Sequence, residues 1–255
     1  MCLGAGALGT TEILLRSKLF GLSTSPLLGQ KLSGNGDLLA FAYDCDRSVD
    51  AVGHEVIQSE RCGPCITGCI DLRGKQDAPN VRDGYVIQDG AVPEALGPVV
   101  QALIESRMIM DWPLVKQSIH KLIAKPKRWI YGPYNPRGSI NRTAVYLVMS
   151  HDESEGTMET KDSQIILRWS DTGVEYRSRT IQDVLYKATA SIGGTLVSAP
   201  CITVHPLGGA CMSRDNTGFG GVVNHMGRLY CGSGEKTHEG IICVDASIIP
   251  TSLGK

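Results

Sequence analysis

A histidine near the C-terminal end of the chain has a side chain suited to acid–base chemistry. His205 lies in the run His205-Pro206-Leu207-Gly208-Gly209, directly after the apolar stretch 201–204. We therefore expect its ring at the end of a strand, where Gly208 and Gly209 let another molecule approach the backbone closely. Imidazole takes up or releases a proton near neutral pH. His205 is accordingly a candidate base, and a hydrogen-bonded structural histidine is the alternative.

An aspartate follows a second apolar run. Asp245 comes directly after residues 241–244, which places its carboxylate at the C-terminal end of a predicted strand, the edge where α/β folds commonly bind ligands. Taken alone, Asp245 is equally compatible with an ordinary helix cap. His225 and His238 lie in the same glycine-rich region without the spacing of a metal-binding pair. We interpret both histidines as structural or surface residues.

Three glycines near the N-terminal end match a dinucleotide-binding pattern. Gly4, Gly6 and Gly9 fit G-x-G-x-x-G, whose glycines let a backbone approach a pyrophosphate at the start of a helix. A short strand end comes before them, and a helix capped near Thr10 is predicted after them. Dinucleotide sites of this type also have an acidic residue about 20 positions further on, which this sequence does not have in place. Phosphate binding and tight strand-to-helix packing are both compatible with the pattern.

Three closely spaced cysteines suggest a different chemistry. Cys62 and Cys65 have the spacing of a thioredoxin-type redox pair, and with Cys69 they offer three sulfur ligands. A redox pair should open a helix, whereas residues 66–68 favour strand and loop, and a fourth metal ligand is not nearby. We favour a turn flanked by incidental thiols and predict no metal site. The chain has 9 cysteines, and an odd number in a chain of this size favours reduced thiols.

The composition argues against several classes of function. The chain has 255 residues, 42% of them hydrophobic, with 25 Lys and Arg against 26 Asp and Glu. A net charge of −1 provides no basic field for nucleic acid. No apolar run has the length of a membrane span, and the first residues do not form a signal-peptide pattern. We expect a soluble protein, and the sequence leaves its compartment undefined.

The apolar pattern predicts both strands and helices between the two ends of the chain. A hairpin is predicted around Asp89-Gly90, because Asp-Gly accepts the positive φ of a tight turn. The strands predicted at 143–150 and 163–169 are separated by a polar stretch, which predicts an antiparallel pair. The predicted fold class is mixed, α+β with α/β character. The remaining predicted elements are strands at 38–42, 229–231 and 241–244 and helices at 93–110 and 180–192.

Three motifs together resemble the glucose-methanol-choline (GMC) flavoprotein oxidoreductases, especially the cholesterol-oxidase-like branch. Their order and long separation carry the resemblance, which covers the two ends of the chain well and the middle loosely. The motifs are Gly4-Ala5-Gly6-Ala7-Leu8-Gly9-Thr10-Thr11-Glu12-Ile13-Leu14-Leu15, then His205-Pro206-Leu207-Gly208-Gly209, then Asp245-Ala246-Ser247-Ile248-Ile249-Pro250 with Leu253-Gly254.

The resemblance implies a fold, a cofactor and roles for individual residues. The fold would be a remnant of an FAD-binding α/β domain with an inserted antiparallel-sheet substrate domain. Its parts would be a partial FAD-binding segment at 1–37, a substrate-binding domain at 38–200 and a C-terminal FAD-binding segment at 201–255. By motif position, His205 resembles the catalytic base. The cofactor-binding positions would be Asp245, Ala246, Gly4 and Gly6.

The activity that the resemblance implies is oxidation of the CH–OH group of an alcohol, sterol-like or otherwise apolar, as in steroid metabolism. FAD removes a hydride from the alcohol carbon in such enzymes, and a histidine, here His205, accepts the hydroxyl proton. Dioxygen then reoxidises the flavin and gives hydrogen peroxide. The expected partners are thus a small-molecule alcohol and dioxygen, with no nucleic acid and no membrane span.

The resemblance further implies an incomplete chain. The family's principal glycine-rich strand and turn, and its second polar catalytic residue, would fall outside 1–255, so we expect a fragment, and the sequence leaves open whether it is active alone. Ala246 stands where the family usually has glycine. Two alternatives stay open. One is a non-catalytic remnant or apolar-ligand-binding module without flavin, and the other is a thiol-redox or metal protein using Cys62, Cys65 and Cys69.

Overall fold

A computed structural model of the chain describes residues 1–49, 51–53, 66–73, 81–110, 135, 138–169, 174–199 and 203–254. Within these ranges the chain forms α-helices and short β-strands. The helices are α1 (Gly6–Leu19), α2 (Gly97–Met110) and α3 (Val174–Ser191). The strands are β1 (Cys2–Leu3), β2 (Leu38–Tyr43), β3 (Val52–Gly53), β4 (Cys69–Asp71), β5 (Val86–Gly90), β6 (Val92–Pro93), β7 (Ala144–Met149), β8 (Thr157–Lys161), β9 (Gln164–Arg168), β10 (Thr195–Ser198), β11 (Arg228–Tyr230) and β12 (Thr237–Cys243).

The chain divides into two compact units, and each is discontinuous in sequence. The first unit contains 1–36, 150–174 and 203–255, and the second contains 37–149 and 175–202. The first unit therefore brings both ends of the chain together. The functional domains expected at 1–37, 38–200 and 201–255 remain a prediction.

The first unit is built on a small mixed sheet. Its strand order is β1-β12-β11, with β1 parallel to β12 and β11 antiparallel to it. Helix α1 follows β1 directly, and strands β8 and β9 form a separate antiparallel hairpin. Burying apolar side chains is the main stabilising contribution in such a core. The buried cluster of this unit consists of Leu3, Leu14, Leu15, Leu28, Leu32, Met158, Ala210, Val222, Val223, Leu229 and Cys243.

The second unit is built on a five-stranded antiparallel sheet with the order β10-β2-β7-β5-β4. Successive side chains of a strand point to opposite faces of the sheet. Phe41 of β2 belongs to the cluster that contains Ile104 of α2, while Ala40 and Ala42 belong to the cluster that contains Leu185 of α3. Both faces of the sheet are thus covered by a helix, which explains why β2 is apolar along its whole length.

Most of the predicted elements are confirmed, and so is the mixed α+β class. Strands β2 and β7 match the strands predicted at 38–42 and 143–150, and α2 and α3 match the two predicted helices. Gly193, with φ of 70°, lies two residues after the last residue of α3, in the left-handed conformation that often ends a helix. Among the described residues, none of the helices combines the length and the apolar character that crossing a lipid bilayer requires.

The hairpin predicted around Asp89-Gly90 is wrong. Strand β5 continues through both residues, and Gly90 pairs with Val145 of β7. A side chain on Gly90 would crowd Val145, since a Cβ there would lie 3.1 Å from Cγ1 of the valine. The glycine therefore allows close strand pairing where we had expected a tight turn. Strand β6 instead pairs in parallel with β3.

The antiparallel pair predicted between 143–150 and 163–169 is also wrong. Strand β7 pairs with β2 and β5, whereas β9 pairs with β8. The connection from β8 to β9 is a two-residue turn at Asp162 and Ser163, which have φ values of 50° and 62°. Two positive φ values in a two-residue connection are typical of a tight hairpin turn. The local hairpin thus replaces the longer-range pairing that was predicted from the polar stretch between the two segments.

The core of the second unit gives a test of this architecture. Leu185 is fully buried on α3, and its neighbour Tyr186 is 62% exposed. We expect Leu185→Ala to lower the free energy of unfolding by about 2–5 kcal/mol, because it leaves a cavity against the sheet. Tyr186→Ala is the matched control, with an expected change within about 0.5 kcal/mol. Urea unfolding followed by circular dichroism measures both, and equal losses would contradict the packing of α3.

Candidate active site

Two parallel strand ends bring the N-terminal glycines beside Asp245. Strand β1 pairs with β12 in the register Cys2 with Ile242 and Leu3 with Cys243. The pairing continues one residue further, because the N–H of Val244 donates to the carbonyl oxygen of Leu3 over 2.9 Å. The residues that follow both strands therefore meet at one edge of the sheet. In open α/β sheets this edge is where ligands commonly bind.

The carboxylate of Asp245 joins these two segments directly. Its Oδ2 accepts a hydrogen bond from the N–H of Gly6 over 3.0 Å and another from the hydroxyl of Thr10. Its Oδ1 accepts from the N–H of Ser247 over 2.9 Å. The Thr10 hydroxyl oxygen also accepts from the N–H of Ala5 over 3.1 Å. Asp245 thus caps α1 and also the short 3₁₀ helix at 246–248, the capping role that the sequence left open.

The carboxyl group of Asp245 is held in its charged form by these contacts. Burial by itself would raise the pKa of Asp245. The hydrogen bonds from Ser247, Thr10 and the Gly6 N–H outweigh burial, so the pKa is lowered from its ordinary value. The neighbouring Cys243 is affected in the opposite direction: burial first, and then the charge of Asp245, raise the pKa of its thiol to about 12. Cys243 is therefore a neutral thiol in the core.

The start of α1 differs from the prediction. The helix begins at Gly6, so Thr10 lies inside it and binds the capping carboxylate of Asp245. Gly6 has φ of 80°, and a Cβ on it would meet no heavy atom within 4 Å. A Cβ on Gly9 would lie 3.0 Å from that of Ala5. Gly9 thus serves close packing of the chain, whereas Gly6 adopts a conformation that favours glycine and borders open space.

The segment after His205 lies against the short helix at 246–248. Three backbone hydrogen bonds hold the two segments side by side, so the histidine loop and the strand end of Asp245 belong to one hydrogen-bonded assembly. The bonds run from the N–H groups of Gly208, Ala210 and Met212 to the carbonyl oxygens of Ala246, Ser247 and Ile248, over 2.9, 3.0 and 2.8 Å.

The two glycines of this loop are required by the chain itself. Gly208 and Gly209 have φ values of 82° and 92°, which disfavour other residues. A Cβ on Gly208 would collide with the carbonyl oxygen of Lys31, and a Cβ on Gly209 would collide with the hydroxyl of Thr11. Atoms of the same unit therefore occupy the side-chain direction of both glycines, which by itself explains why these positions are glycine. Approach of another molecule to the backbone here stays a prediction.

His205 is exposed, and its backbone is fixed on both sides by residues 33 and 34. The N–H of His205 donates to the hydroxyl oxygen of Thr203 over 3.2 Å, and that hydroxyl donates to the carbonyl oxygen of Gly34 over 2.9 Å. On the other side, Leu207 and Ser33 exchange two backbone hydrogen bonds of 2.9 Å each. The imidazole is thus carried on a short loop whose two ends are both anchored.

The hydrogen-bonding groups at the sheet edge suit one part of a flavin nucleotide better than another. Asp245 is anionic and already occupies the N–H of Gly6, so this carboxylate disfavours a phosphate and suits a hydroxyl group. Ala246 begins the 3₁₀ helix, and within the described part of the chain no group accepts from its N–H. The N–H of Ala246 thus suits a ligand oxygen, and Gly6 leaves space for a ligand. The sugar-alcohol chain of FAD has hydroxyl oxygens of this kind.

The other residues considered from the sequence lie away from this edge or outside the described residues. Nε2 of His238 lies 2.8 Å from a backbone carbonyl oxygen, and His225 is exposed in a turn. Cys69 is an exposed free thiol, while Cys62 and Cys65 fall outside the described residues. Across the described ranges, no three His, Cys, Asp or Glu side chains are grouped as metal ligands.

Sequence reasoning missed several residues around the histidine loop. Asp152 accepts hydrogen bonds from the 33–36 turn, and Trp169 packs beside it. Gly34 and Gly36 are of a residue type that favours a turn, but an aspartate within the polar stretch 151–160 gave no signal. Thr10 was predicted as a cap by its type, and its actual partner depends on tertiary structure.

Comparison with known proteins does not assign the chain to a family. No protein-family model matches it, and no curated protein matches it significantly. The functional interpretation therefore depends on the residues and contacts described above.

Because Asp245 caps both α1 and the 3₁₀ helix at 246–248, we predict that the stability of the protein depends on pH. We expect Asp245→Asn to lower the free energy of unfolding by about 1 kcal/mol at neutral pH, because α1 and the 3₁₀ helix lose a charged acceptor. Since the pKa of Asp245 is lowered on folding, its contribution is present above the ordinary carboxyl range and is lost as the pH falls through the lowered pKa. Urea unfolding from about pH 7 to about pH 3 should thus show the two proteins converging in acid. A difference independent of pH would contradict the role.

Proposed function

We propose that this chain is part of an FAD-dependent oxidoreductase that acts on the CH–OH group of an apolar, sterol-like alcohol, with dioxygen as electron acceptor. The observation that carries the proposal is the junction at Asp245. Its carboxylate and the backbone next to it connect the glycine turn at 4–6 with the loop that bears His205. All three motifs of the GMC resemblance thus belong to one hydrogen-bonded assembly of the first unit.

We assign to His205 the role of the base that accepts the hydroxyl proton of the alcohol. An alcohol loses hydride more readily when a base takes its hydroxyl proton as the carbonyl forms. Imidazole is such a base, and His205 is exposed on a loop that Thr203 and Leu207 anchor on either side. This anchoring fixes the backbone from which the ring reaches the alcohol oxygen, so His205 would orient the substrate as well as accept its proton.

The residues that would hold the flavin are Gly4, Gly6, Asp245 and Ala246. In this assignment Asp245 accepts from a hydroxyl of the sugar-alcohol chain and the N–H of Ala246 donates to a ligand oxygen, while Gly6 leaves room for close approach. A bound flavin would supply the hydride acceptor and the reaction with dioxygen, which protein side chains cannot supply.

A paired histidine experiment tests the assignment. The protein is reconstituted with FAD, and peroxide formation is followed with a sterol and with a long-chain alcohol. We expect His205→Asn to retain flavin absorbance and to lose turnover about 100-fold to 10,000-fold, since it removes the base. His225→Asn is the matched control, because His225 is exposed in a turn of the same unit. Its turnover should equal that of the wild type.

Two outcomes would overturn the proposal. If no flavin absorbance remains after reconstitution and gel filtration, the cofactor assignment fails. If His205→Asn turns over alcohol at the rate of His225→Asn, the base is another group.

A second candidate function is binding of an apolar ligand without flavin. Two exposed apolar side chains next to the histidine loop favour it. Val204 is 58% exposed, and Trp169 is 44% exposed. The indole of Trp169 lies across Gly34 and Gly156, since a Cβ on either glycine would be 3.2 Å from the ring. An aromatic ring with one open side is a common wall of apolar ligand sites.

Calorimetric titration of the flavin-free protein tests this second function. We expect an apolar alcohol to bind, and Trp169→Ala to weaken its affinity about tenfold through lost apolar contact. Trp169→Phe keeps an aromatic ring and should retain most of the affinity. No heat of binding in the wild type, or equal affinity in the alanine variant, would exclude Trp169 as a ligand contact.

A further inference from the structure

Asp152 binds the turn at 33–36 through both of its carboxylate oxygens. Oδ1 accepts from the hydroxyl of Ser33 over 2.6 Å and from the N–H of Ser154 over 3.0 Å. Oδ2 accepts from the N–H of Gly34 over 2.7 Å and from that of Gly36 over 3.4 Å. Hydrogen bonds to an ionised carboxylate are about twice as strong as neutral ones. Asp152 therefore tethers this turn to the segment that precedes β8, together with two hydrogen bonds from Ser150 to the carbonyl oxygens of Asn35 and Gly36.

The conformation of the turn explains why it needs an anion. Asn35 and Gly36 have φ values of 56° and 60°, and the N–H groups of Gly34 and Gly36 both point to one oxygen. Converging backbone N–H groups of this kind form an anion-binding concavity. The chain supplies the anion itself, as the side chain of Asp152. Replacing that carboxylate removes the charge that these N–H groups face.

The same turn anchors the loop of His205. Ser33 exchanges two backbone hydrogen bonds with Leu207, and the carbonyl oxygen of Gly34 accepts from the hydroxyl of Thr203. The two anchors lie on either side of His205 in the sequence. Asp152 bonds to the side chain of Ser33 and to the N–H of Gly34, which are the two residues that hold the loop.

We propose that Asp152 is a positioning residue for His205, acting through the 33–36 turn. The hydrogen bonds described above support an effect of Asp152 on the position of the imidazole. The consequence of that effect for catalysis rests on the function proposed above. A displacement of a catalytic group by about 1 Å lowers turnover about 100-fold. Asp152 does not touch the alcohol in this scheme, so its loss should lower kcat and leave KM close to that of the wild type.

The experiment compares Asp152→Asn with Asp215→Asn. Asp215 is also an aspartate of the first unit whose Oδ1 accepts hydrogen bonds in a loop, from Ser213 and Thr217, and it has no bond to the 33–36 turn. Carbon–proton correlation spectra of the imidazole Cε1–H groups report the positions of His205 and His225 without any cofactor. We expect Asp152→Asn to shift or broaden the His205 signal and to leave the His225 signal in place, and Asp215→Asn to shift neither signal.

In the FAD-reconstituted protein, Asp152→Asn should lower kcat about 10-fold to 100-fold, with flavin content and KM near those of the wild type. Ser33→Ala is a milder second variant, because it removes one hydrogen bond to Asp152 and keeps the carboxylate. It should move the His205 signal in the same direction by a smaller amount, and it serves if the aspartate variant does not fold.

The outcomes separate the two proposals. An unmoved His205 signal in a folded Asp152→Asn or Ser33→Ala variant overturns the positioning role, whatever the activity. If the His205 signal moves but the wild type oxidises no alcohol, the positioning role stands and the proposed function fails. If the signal moves and kcat stays at the control level, Asp152 positions the ring without a catalytic consequence, and that part of the inference is wrong.

Discussion

The carboxylate of Asp245 receives hydrogen bonds from two segments that are far apart in sequence, and the first unit is arranged around it. One oxygen binds the start of α1 through Gly6 and Thr10, and the other binds the 3₁₀ helix that follows β12 through Ser247. Parallel pairing of β1 with β12 brings the partners together. Since the Asp245 side chain is only partly buried, the contact depends on its charge and hydrogen bonds more than on apolar packing.

Asp152 provides a second instance of the same arrangement. At the 33–36 turn the N–H groups of Gly34 and Gly36 converge on one oxygen, as in sites that bind phosphate, and at α1 the N–H of Gly6 lies at a helix N-terminus, another common place for phosphate. In each case an aspartate of the chain already neutralises them. These two positions of the first unit are therefore suited to hydroxyl groups and poorly suited to further anions. A ligand that carries a pyrophosphate would have to place its phosphates against other backbone groups.

Periodicity predicted the elements, and tertiary structure decided how they pair. Strand β2 and helix α3 followed from their apolar patterns, because burial against neighbouring layers leaves a clear period. Asp89-Gly90 misled the prediction, since the same dipeptide that suits a tight turn also suits close pairing with β7. Asp162 and Ser163 form the turn between β8 and β9, which the sequence pattern did not predict. Strand pairing depends on all the competing strands at once, which a local pattern does not contain.

The sequence predicted individual residues of the candidate site, and the structure showed how these residues contact one another. Spacing and motif order singled out His205 and Asp245, and capping was one of the two roles weighed for Asp245. The bond from Gly6 to Asp245 links positions 239 residues apart, so no local pattern predicts it. Asp152 lies in a polar stretch where an acidic residue is unremarkable in sequence. The sequence singled out Gly208 and Gly209, but these positions require glycine because atoms of Lys31 and Thr11 lie where a side chain would be.

The distance in sequence between Gly6 and Asp245 also has a consequence for biosynthesis. A ribosome adds about 5–20 residues per second, so α1 leaves it on the order of tens of seconds before its capping carboxylate is made. During that interval the first turn of α1 has no acceptor from Asp245, and β1 has no β12 beside it. Closing so long a loop is slow compared with forming local helices. The first unit is therefore expected to assemble after translation has passed residue 245, which makes the nascent chain a candidate for chaperone binding until then.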